Sequence, residues 1–248
     1  MIAPIVLKIS GHELDDADYL REFAAVLAQQ AQPVIIVHGG GKEISALQTR
    51  LGIEPRYVDG IRITDAESLA LVEMVMCGSI NKRLVRTFLA AGVQAIGLSG
   101  VDGGTVQAVK MAHPTVDMGF TGQIVRINPK LLQVLLDQGY TPVLSPVSLG
   151  EDSSYNVNAD TVAGAVAAAV GASRVIFISN VPGVMKNGVV IPTLTHTEVE
   201  ALIADGTING GMIPKVRTAL EALTSGIRQS VITNLAGLQS TGGTVFSA

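Results

Sequence analysis

Short runs of β-branched and other apolar residues alternate along the chain with longer stretches rich in Ala and Leu. Each run is apolar almost without interruption, which is typical of strands buried on both faces of a parallel sheet. The alternation predicts a doubly wound α/β fold, with helices on both faces of one sheet. The six predicted strands lie at residues 5–8, 34–38, 95–98, 143–146, 175–179 and 230–233.

Residues 19–30 carry apolar side chains at helical spacing, which predicts a helix between the first two strands. The segments 105–110 and 122–127 flank a polar stretch and favour an antiparallel hairpin outside the main sheet. Together the elements predict a three-layer α-β-α sandwich with a mainly parallel central sheet. Three signatures predict helix starts: Thr64 with Glu67, Thr195 with Glu198, and Asn128 with Pro129.

The length of 248 residues favours one large domain, which could consist of two lobes. Hydrophobic residues make up 48% of the chain, yet the longest apolar helical run, 163–172, is too short to span a bilayer. A net charge of −4 argues against non-specific binding of nucleic acid, which needs a basic face. The single cysteine, Cys77, and the lack of a signal-peptide pattern fit a cytoplasmic protein.

Glycine-rich turns follow three predicted strands, at residues 10–11, 39–41 and 97–100. Ligands of this fold bind at the carboxyl ends of strands, and glycine turns before helix N-termini bind anions. Tight connections alone would explain any one such turn, but three together favour a phosphate ligand. Neither the dinucleotide fingerprint nor the P-loop motif is present, which disfavours a dehydrogenase and a P-loop NTPase.

Two lysines are candidates for contacts to an anion. Lys8 ends the first strand among apolar neighbours, which favours a position in a cleft over a side chain that reaches out to solvent. Lys215 lies at the start of a predicted helix, after the glycine pair 210–211. An exposed lysine without a function is disfavoured there, because the N-terminal end of the helix dipole repels a positive charge. Only the fold can bring these two lysines together.

Asp160 is a candidate to hold lysine ammonium groups in place. It shares a helix face with Asn156 if the helix starts that early; otherwise Asn156 or Asn158 is the helix cap. Arg62 could bind a carboxylate through two hydrogen bonds, or it could be a solvated surface residue. His38 precedes three glycines and is interpreted as an organiser of that loop. The scattered histidines predict no zinc site, and no nucleophile motif occurs.

Nine stretches, taken in order, resemble the motifs of the amino acid kinase superfamily, and more closely those of the acetylglutamate kinases. The ordered set is specific although each stretch alone is weak, and it covers nearly the whole chain from Ile5. The resemblance implies the amino acid kinase fold and ATP-dependent phosphorylation of the γ-carboxylate of N-acetyl-L-glutamate, in arginine biosynthesis. The stretches lie at 6–8, 37–41, 60–64, 81–82, 97–103, 119–122, 155–160, 181–184 and 210–215.

The resemblance also implies roles for individual residues. Lys8 would contact the transferring phosphoryl group, Lys215 would neutralise the ATP phosphates, and Asp160 would hold both lysines. Mg²⁺ would be bound through the ATP phosphates, so no metal-binding residue is predicted. The ionised γ-carboxylate needs no general base. Substrate binding would involve Gly39, Gly40, Gly41, Arg62, Asn156 and Asn158, and nucleotide binding Gly11, Ser179, Asn180, Val181, Gly183, Gly210, Gly211 and Met212.

The resemblance further implies an N-lobe at about 1–150 that binds the acceptor and dimerises, and a C-lobe at about 151–248 that binds the nucleotide. The loop 150–154 is the best boundary between them. Arginine-inhibited relatives carry an extra N-terminal helix, and only four residues precede the first strand here. We therefore expect a homodimer that arginine does not inhibit. Its partners would be N-acetyl-L-glutamate and MgATP, without nucleic acid or membrane.

Two positions depart from the family pattern and leave the acceptor and the nucleotide affinity open. Ser10 stands where the family usually has glycine, and Asn180 where it usually has aspartate. One alternative is a kinase of carrier-protein-linked α-aminoadipate or glutamate in lysine or arginine biosynthesis, for which Lys82, Arg83 and Arg86 would form a basic rim. Another is a non-catalytic sensor of amino acids or nucleotides on the same fold. Such a sensor would be expected to lack Lys8, Lys215 or Asp160, and all three are present here.

Overall fold

The computed structural model describes residues 2–10 and 14–247. Strands and helices alternate along this part of the chain, as the apolar pattern predicts. The strands of the described residues are β1 (Ile5–Ile9), β2 (Val34–His38), β3 (Arg56–Val58), β4 (Ile61–Ile63), β5 (Ala95–Ser99), β6 (Val106–Lys110), β7 (Gly122–Ile127), β8 (Thr141–Ser145), β9 (Val147–Leu149), β10 (Ser154–Asn156), β11 (Arg174–Ile178), β12 (Met185–Lys186), β13 (Val189–Val190), β14 (Thr193–Thr195), β15 (Ser230–Thr233) and β16 (Thr244–Ser247).

The helices connect these strands on the two sides of the sheet. A π-helix, Met74–Ile80, joins the third and fourth α-helices, and a 3₁₀ turn covers Asp102–Gly104. No helix in the described ranges has both the length and the apolar character that crossing a membrane requires. The α-helices there are α1 (Ala17–Ala28), α2 (Gly41–Arg50), α3 (Ala66–Glu73), α4 (Asn81–Ala90), α5 (Lys130–Asp137), α6 (Ala159–Ala169), α7 (His196–Ala204), α8 (Met212–Thr224) and α9 (Leu235–Ser240).

The main sheet has eight strands in the order β14-β16-β15-β11-β1-β2-β8-β5. All six predicted strands lie in it, and each pairs in parallel with its neighbours among the six. β16 runs antiparallel to β15. The sheet is therefore mainly parallel, and the carboxyl ends of β1, β2 and β11 lie side by side.

Side chains alternate between the two faces of the sheet, as the twofold period of a strand requires. On β1, Leu7 belongs to a core that Phe23 of α1 and Phe88 of α4 complete. Val6 belongs to a second core, which includes Val162 of α6. Helices thus cover both faces, and the predicted three-layer α-β-α sandwich is confirmed.

A smaller sheet, in the order β10-β9-β6-β7, lies outside the main one. β6 and β7 pair in antiparallel fashion, which confirms the hairpin predicted from the sequence. The segment 150–154 lies at the turn of a second hairpin, between β9 and β10, where Gly150 N donates to Ser153 O at 2.8 Å.

The predicted helix starts are partly wrong. The capping box of Thr195 with Glu198 is confirmed at the start of α7. Asn128 Oδ1 accepts from Lys130 N at 3.3 Å, but the helix begins at Lys130, one residue later than expected. The N-cap of α3 is Asp65 and not Thr64, because Asp65 accepts from Ser68 N. Thr64 is instead fully buried, and its hydroxyl oxygen accepts a hydrogen bond from Asn156, a residue of the site described below.

Candidate active site

Two adjoining clefts open at the carboxyl ends of the central strands. The larger cleft, of about 370 Å³, lies over the ends of β1 and β2 and beside the β3–β4 hairpin. The smaller cleft, of about 130 Å³, lies between the ends of β1 and β11 and the first turns of α8. Lys8, Ser10 and Asp160 line both clefts, so these three residues form the boundary between them.

Lys8 and Asp160 form an ion pair at this boundary. Lys8 has the same side-chain orientation as Val6 on β1, which directs it to the face covered by α6. Asp160 lies in the first turn of α6, and its Oδ1 is 2.7 Å from Lys8 Nζ. The Lys8 side chain is only 11% exposed, so it lies in the cleft rather than reaching out to solvent.

Lys215 approaches the smaller cleft from the opposite side. It lies in the first turn of α8, and its Nζ donates to Ser179 Oγ at 2.6 Å and to Asn180 Oδ1 at 2.9 Å. Both acceptors directly follow β11. Asn180, the departure from the family's aspartate, thus still offers an oxygen acceptor to the lysine. The fold brings Lys8, Lys215 and Asp160 to the walls of one cleft.

Arg62 is buried in the wall of the larger cleft, which contradicts the alternative of a solvated surface arginine. Its Nη2, which has two hydrogens, lies within hydrogen-bond distance of three acceptors: Gly41 O at 3.0 Å, Ser45 Oγ at 2.7 Å and Tyr57 Oη at 2.5 Å. Its Nη1 donates to Gln48 Oε1. All four acceptors are neutral, and in the described ranges no carboxylate lies within ion-pair distance of Arg62. Burial lowers the pKa of its guanidinium from the ordinary value.

The β3–β4 hairpin explains how Arg62 reaches the cleft. Asp59 and Gly60 both have positive φ angles, of 48° and 77°, as a tight two-residue turn requires. This turn places Tyr57 opposite Arg62 in the hairpin register. The guanidinium carbon then lies 4.8 Å from the centre of the Tyr57 ring. Tyr57 lines the cleft but was not predicted from the sequence. The Asp59-Gly60 dipeptide is typical of a two-residue hairpin turn, and recognising it would have placed Tyr57 opposite Arg62.

The glycine turn 39–41 connects β2 to α2 and lines the larger cleft. α2 begins at Gly41 without a side-chain cap, so its first N–H groups have no side-chain acceptor from the cap residue. A Cβ on Gly40 would lie 2.4 Å from Met76 Sδ and 2.5 Å from Ile80 Cδ1, both in the π-helix. A methyl group on Gly40 would therefore force the Met76 and Ile80 side chains to shift, while one on Gly41 would meet only Arg62 Nη2, at an ordinary contact distance of 3.9 Å.

His38 is fully buried beneath this turn. Its Nδ1 lies 3.0 Å from Gly39 O, and its Nε2 lies 3.1 Å from Asn81 Nδ2. Since a carbonyl only accepts and the amide nitrogen of Asn81 only donates, the bonds assign a neutral ring protonated at Nδ1. Burial lowers the pKa of His38 to about 4. These contacts support the interpretation of His38 as an organiser of the loop.

The two asparagines before Asp160 have different contacts. Asn156 ends β10 and not a helix, so the predicted shared helix face with Asp160 is wrong. Its Nδ2 donates to the buried Thr64 Oγ1 at 3.0 Å. Asn158 is the N-cap of α6, and its Oδ1 accepts from Asp160 N at 2.7 Å and from Thr161 N at 3.4 Å. Both asparagines line the larger cleft.

The other residues predicted to bind the nucleotide build the turns that flank the smaller cleft. Gly183 is buried with a φ of 148°, and Gly210 has a φ of 51° before the N-cap residue Gly211. Met212 is the first residue of α8 and, like Val181, packs against the second core. None of these five residues is among those that line the two clefts. Gly11 lies outside the described residues.

Several residues that line the clefts were absent from the sequence prediction. Thr121, which lines the larger cleft, donates from its hydroxyl to Arg62 O at 2.6 Å and so holds the β4 backbone. Thr218 lies three residues after Lys215 on α8, and this helical spacing could have indicated it. Thr121 lies within the recognised stretch 119–122, but no role was predicted for it, and the core residues Met76 and Ile232 lie outside the recognised stretches.

The basic cluster 82–86 is partly engaged in contacts within the protein. Lys82 Nζ donates to Asn81 Oδ1 at 3.0 Å, and Arg83 pairs with Glu43 at 2.5 Å. Over residues 2–10 and 14–247, no group of three His, Cys, Asp or Glu side chains is placed to hold a metal ion.

Comparison with known proteins identifies the family. The sequence model of the amino acid kinase family matches residues 3–234. The chain therefore belongs to the amino acid kinase family, which confirms the resemblance inferred from its motifs. It is an enzyme, a kinase.

Curated relatives make the group more specific. The chain is 51% identical over 243 residues to an acetylglutamate kinase of Roseiflexus sp. (strain RS-1), across 98% of this chain and 93% of the relative. It is 44% identical over 249 residues to an acetylglutamate kinase of Methanopyrus kandleri, across 97% and 98% of the two chains. These relatives place the chain among the acetylglutamate kinases.

Solved structures confirm the fold. The protein smu.665 from Streptococcus mutans UA159 superposes with a TM-score of 0.81 at 29% identity, covering 99% of this chain and 98% of that one. An N-acetylglutamate synthase from Neisseria gonorrhoeae, complexed with coenzyme A and N-acetyl-glutamate, gives 0.84 at 20% identity, covering 99% and 59%. A carbamate kinase from Giardia lamblia bound to AMP-PNP gives 0.67 at 18% identity, covering 99% and 98%. The last two likenesses concern the fold alone.

Proposed function

We propose that the protein transfers the γ-phosphoryl group of ATP to the γ-carboxylate of N-acetyl-L-glutamate in arginine biosynthesis. The product is N-acetyl-L-glutamyl 5-phosphate. The names of its curated relatives support this activity over nearly the full chain. The single structural observation that carries the proposal is the buried Arg62 guanidinium in the wall of the larger cleft, without a carboxylate partner in the described ranges.

Arg62 is suited to bind the α-carboxylate of the acceptor. A buried charge is costly unless it is paired, and the four neutral acceptors around Arg62 orient the guanidinium without neutralising it. An acceptor carboxylate in the larger cleft would supply the missing charge through bidentate hydrogen bonds. Asn156, Asn158 and the backbone of Gly39, Gly40 and Gly41 line the same cleft and would position the rest of the acceptor.

Lys8 would act where the acceptor meets the phosphoryl donor, because it lines both clefts. The main obstacle is the repulsion between a carboxylate and the phosphates of ATP. Lys8 would reduce this repulsion at the transferring group, and Lys215 would do so on the leaving side. Catalysis would then consist of positioning and charge stabilisation, without a general base.

The donors of the smaller cleft fit the phosphates of ATP. Two ammonium groups and the hydroxyls of Ser179 and Thr218 line it, and all of these groups can donate to phosphate oxygens. Asn180 would keep Lys215 directed at the cleft, and the turns at 181–183 and 210–212 would form the surroundings of the nucleotide. Mg²⁺ bound to the phosphates of ATP would neutralise further charge, because it prefers oxygen ligands and keeps several waters.

Asp160 would hold the ammonium of Lys8 and, across the smaller cleft, that of Lys215. In this proposal the lobe at about 1–150 binds the acceptor, with Asn156 and Asn158 contributed by the other lobe, and forms a homodimer, and the lobe at about 151–248 binds the nucleotide. We also propose that the enzyme acts in the cytoplasm.

The test is an acceptor panel with MgATP, in which hydroxylamine traps the acyl phosphate. The panel contains N-acetyl-L-glutamate, L-glutamate, N-acetyl-aminoadipate and a carrier-linked aminoadipate, and the Lys8→Ala variant serves as the control. Product with N-acetyl-L-glutamate that the variant does not form supports the proposal. Product with only the carrier-linked acceptor would assign the alternative kinase activity. No product with any acceptor would overturn the proposal.

A further inference from the structure

Ser10 occupies the boundary between the two clefts. It directly follows β1, and it lines the larger and the smaller cleft together with Lys8 and Asp160. Lys8 Nζ donates to Ser10 Oγ at 3.3 Å, and Ser10 Oγ donates to Ile178 O at 3.3 Å. The hydroxyl therefore lies beside the ammonium that faces both clefts.

The hydrogen bond to Ile178 is a weak one. Hydroxyl donors usually lie about 2.7–2.8 Å from their acceptors, and the bond here is longer. A charged oxygen is a better acceptor than a backbone carbonyl, and a hydroxyl proton rotates freely about its C–O bond. An anion at the junction of the clefts would thus compete successfully with Ile178 for the Ser10 proton.

We propose that Ser10 is a catalytic residue that donates a hydrogen bond from its hydroxyl to a non-bridging oxygen of the transferring phosphoryl group. The inference rests on the proposed function. In that reaction an electron pair of the acceptor carboxylate forms the new O–P bond. The bond between the γ-phosphorus and the β,γ-bridging oxygen breaks, and its electron pair stays on ADP. Ser10 keeps its proton throughout and stabilises the negative charge on the non-bridging oxygens of the phosphoryl group during its transfer.

A purely structural role is the competing explanation, because the bond to Ile178 also ties β1 to β11. The opposite end of the same strand pair offers a matched control. Ser173 Oγ donates to Pro4 O at 3.3 Å, just before β11 and β1 begin. Ser10→Ala and Ser173→Ala therefore each remove a serine-to-carbonyl bond of equal length between the same two segments, but only Ser10 lines the clefts.

The experiment compares the two variants with the wild type by steady-state kinetics with MgATP and N-acetyl-L-glutamate. We expect Ser10→Ala to lower kcat about 10- to 100-fold, the usual effect of one hydrogen bond to a charged group, with both KM values within about threefold. Ser173→Ala should keep wild-type kcat. Aluminium fluoride bound with MgADP and N-acetyl-L-glutamate mimics the phosphoryl group during transfer. The affinity for this complex should fall in Ser10→Ala by the same factor as kcat. The affinity for MgADP alone should not change.

Three results would overturn the assignment: wild-type kcat in Ser10→Ala, an equal loss in Ser173→Ala, or unchanged binding of the aluminium fluoride complex. A double-mutant cycle separates direct contact from action through Lys8, because the Ser10 effect should persist in the Lys8→Ala background. Its disappearance there would make Ser10 a positioning residue only. Absence of turnover by the wild type would overturn the proposed function itself, which distinguishes the two failures.

Discussion

Lys8 Nζ and Asp160 Oδ1 lie 2.7 Å apart, and this ion pair joins an interior strand of the sheet to the first turn of α6. Asp160 also lines both clefts, and its carboxylate holds the ammonium of Lys8 in place. Since Lys8 lines both clefts, the pair fixes a positive group at the point where acceptor and donor would meet. Catalysis by fixed positive charge is therefore the physical basis of the proposed mechanism.

Removing either lysine should affect the chemical step more than binding. We expect Lys8→Ala and Lys215→Ala each to lower kcat by about 10²- to 10³-fold, because each would remove a charge that stabilises the transition state. The KM values should change much less. Lys130→Ala, at the exposed start of α5, is the matched control and should retain wild-type kinetics. Near-normal turnover in either cleft variant would remove that lysine from the mechanism.

Arg62→Lys should weaken binding of the acceptor. Lysine keeps the charge but cannot form the planar, bidentate contact to a carboxylate, so we expect the acceptor KM to rise about 10- to 100-fold. The KM for ATP should stay within about threefold, because Arg62 lines only the larger of the two clefts. Arg50→Lys, at the end of α2, serves as the control. An equal rise in both KM values would argue against a specific role in acceptor binding.

His38 should make folding stability depend on pH. Burial lowers the pKa of His38 to about 4, against an ordinary value of 6.5. Between these values the unfolded chain binds a proton that the folded protein does not, so stability is lost as the pH falls. We expect the free energy of unfolding to drop by about 3 kcal/mol from pH 7.5 to pH 4 through this group alone.

Urea unfolding at several pH values measures this contribution. His38→Asn stays neutral, so its stability should fall less steeply towards pH 4 than that of the wild type. His196→Asn, at the exposed start of α7, should follow the wild-type profile. Parallel profiles for the wild type and His38→Asn would contradict the assignment of a buried neutral ring.

Gly40 and Gly41 should tolerate an added methyl group very differently. A Cβ on Gly40 would overlap Met76 and Ile80, so we expect Gly40→Ala to lower the free energy of unfolding by about 1–3 kcal/mol. Gly41→Ala should fold as well as the wild type, because only Arg62 Nη2, at 3.9 Å, lies near the added atom. Thermal and denaturant unfolding of the pair measures the difference. Equal stabilities of Gly40→Ala and Gly41→Ala would show that the π-helix does not pack closely against Gly40.

The sequence predicted the sheet well because its strands are buried on both faces and therefore apolar throughout. The predicted strand 143–146 is the least accurate of the six, since β8 begins at Thr141 and includes a proline. Short strands such as β3 and β4 have only three residues each and give too little periodicity to recognise. The start of α3 was misassigned because Thr64 and Asp65 are both suitable caps, and only burial of Thr64 decides between them.

The charged site residues were predictable for a different reason. Lys8 and Asp160 interrupt apolar or glycine-rich surroundings, where a charge needs a specific partner. Their mutual contact was not predictable from periodicity, since 152 positions separate them and only the packing of α6 on β1 brings them together. Tyr57 and Thr121 escaped prediction because their importance comes from contacts to Arg62, which Tyr57 makes across the hairpin and Thr121 makes from the position just before β7.

³¹P NMR of the protein with MgATP and N-acetyl-L-glutamate shows directly whether it forms the acyl phosphate. We expect an acyl phosphate signal that grows in proportion to ADP, requires the acceptor, and is abolished or strongly reduced by Lys8→Ala. Formation of ADP with inorganic phosphate alone in freshly mixed samples, or no consumption of ATP, would rule out the proposed phosphoryl transfer.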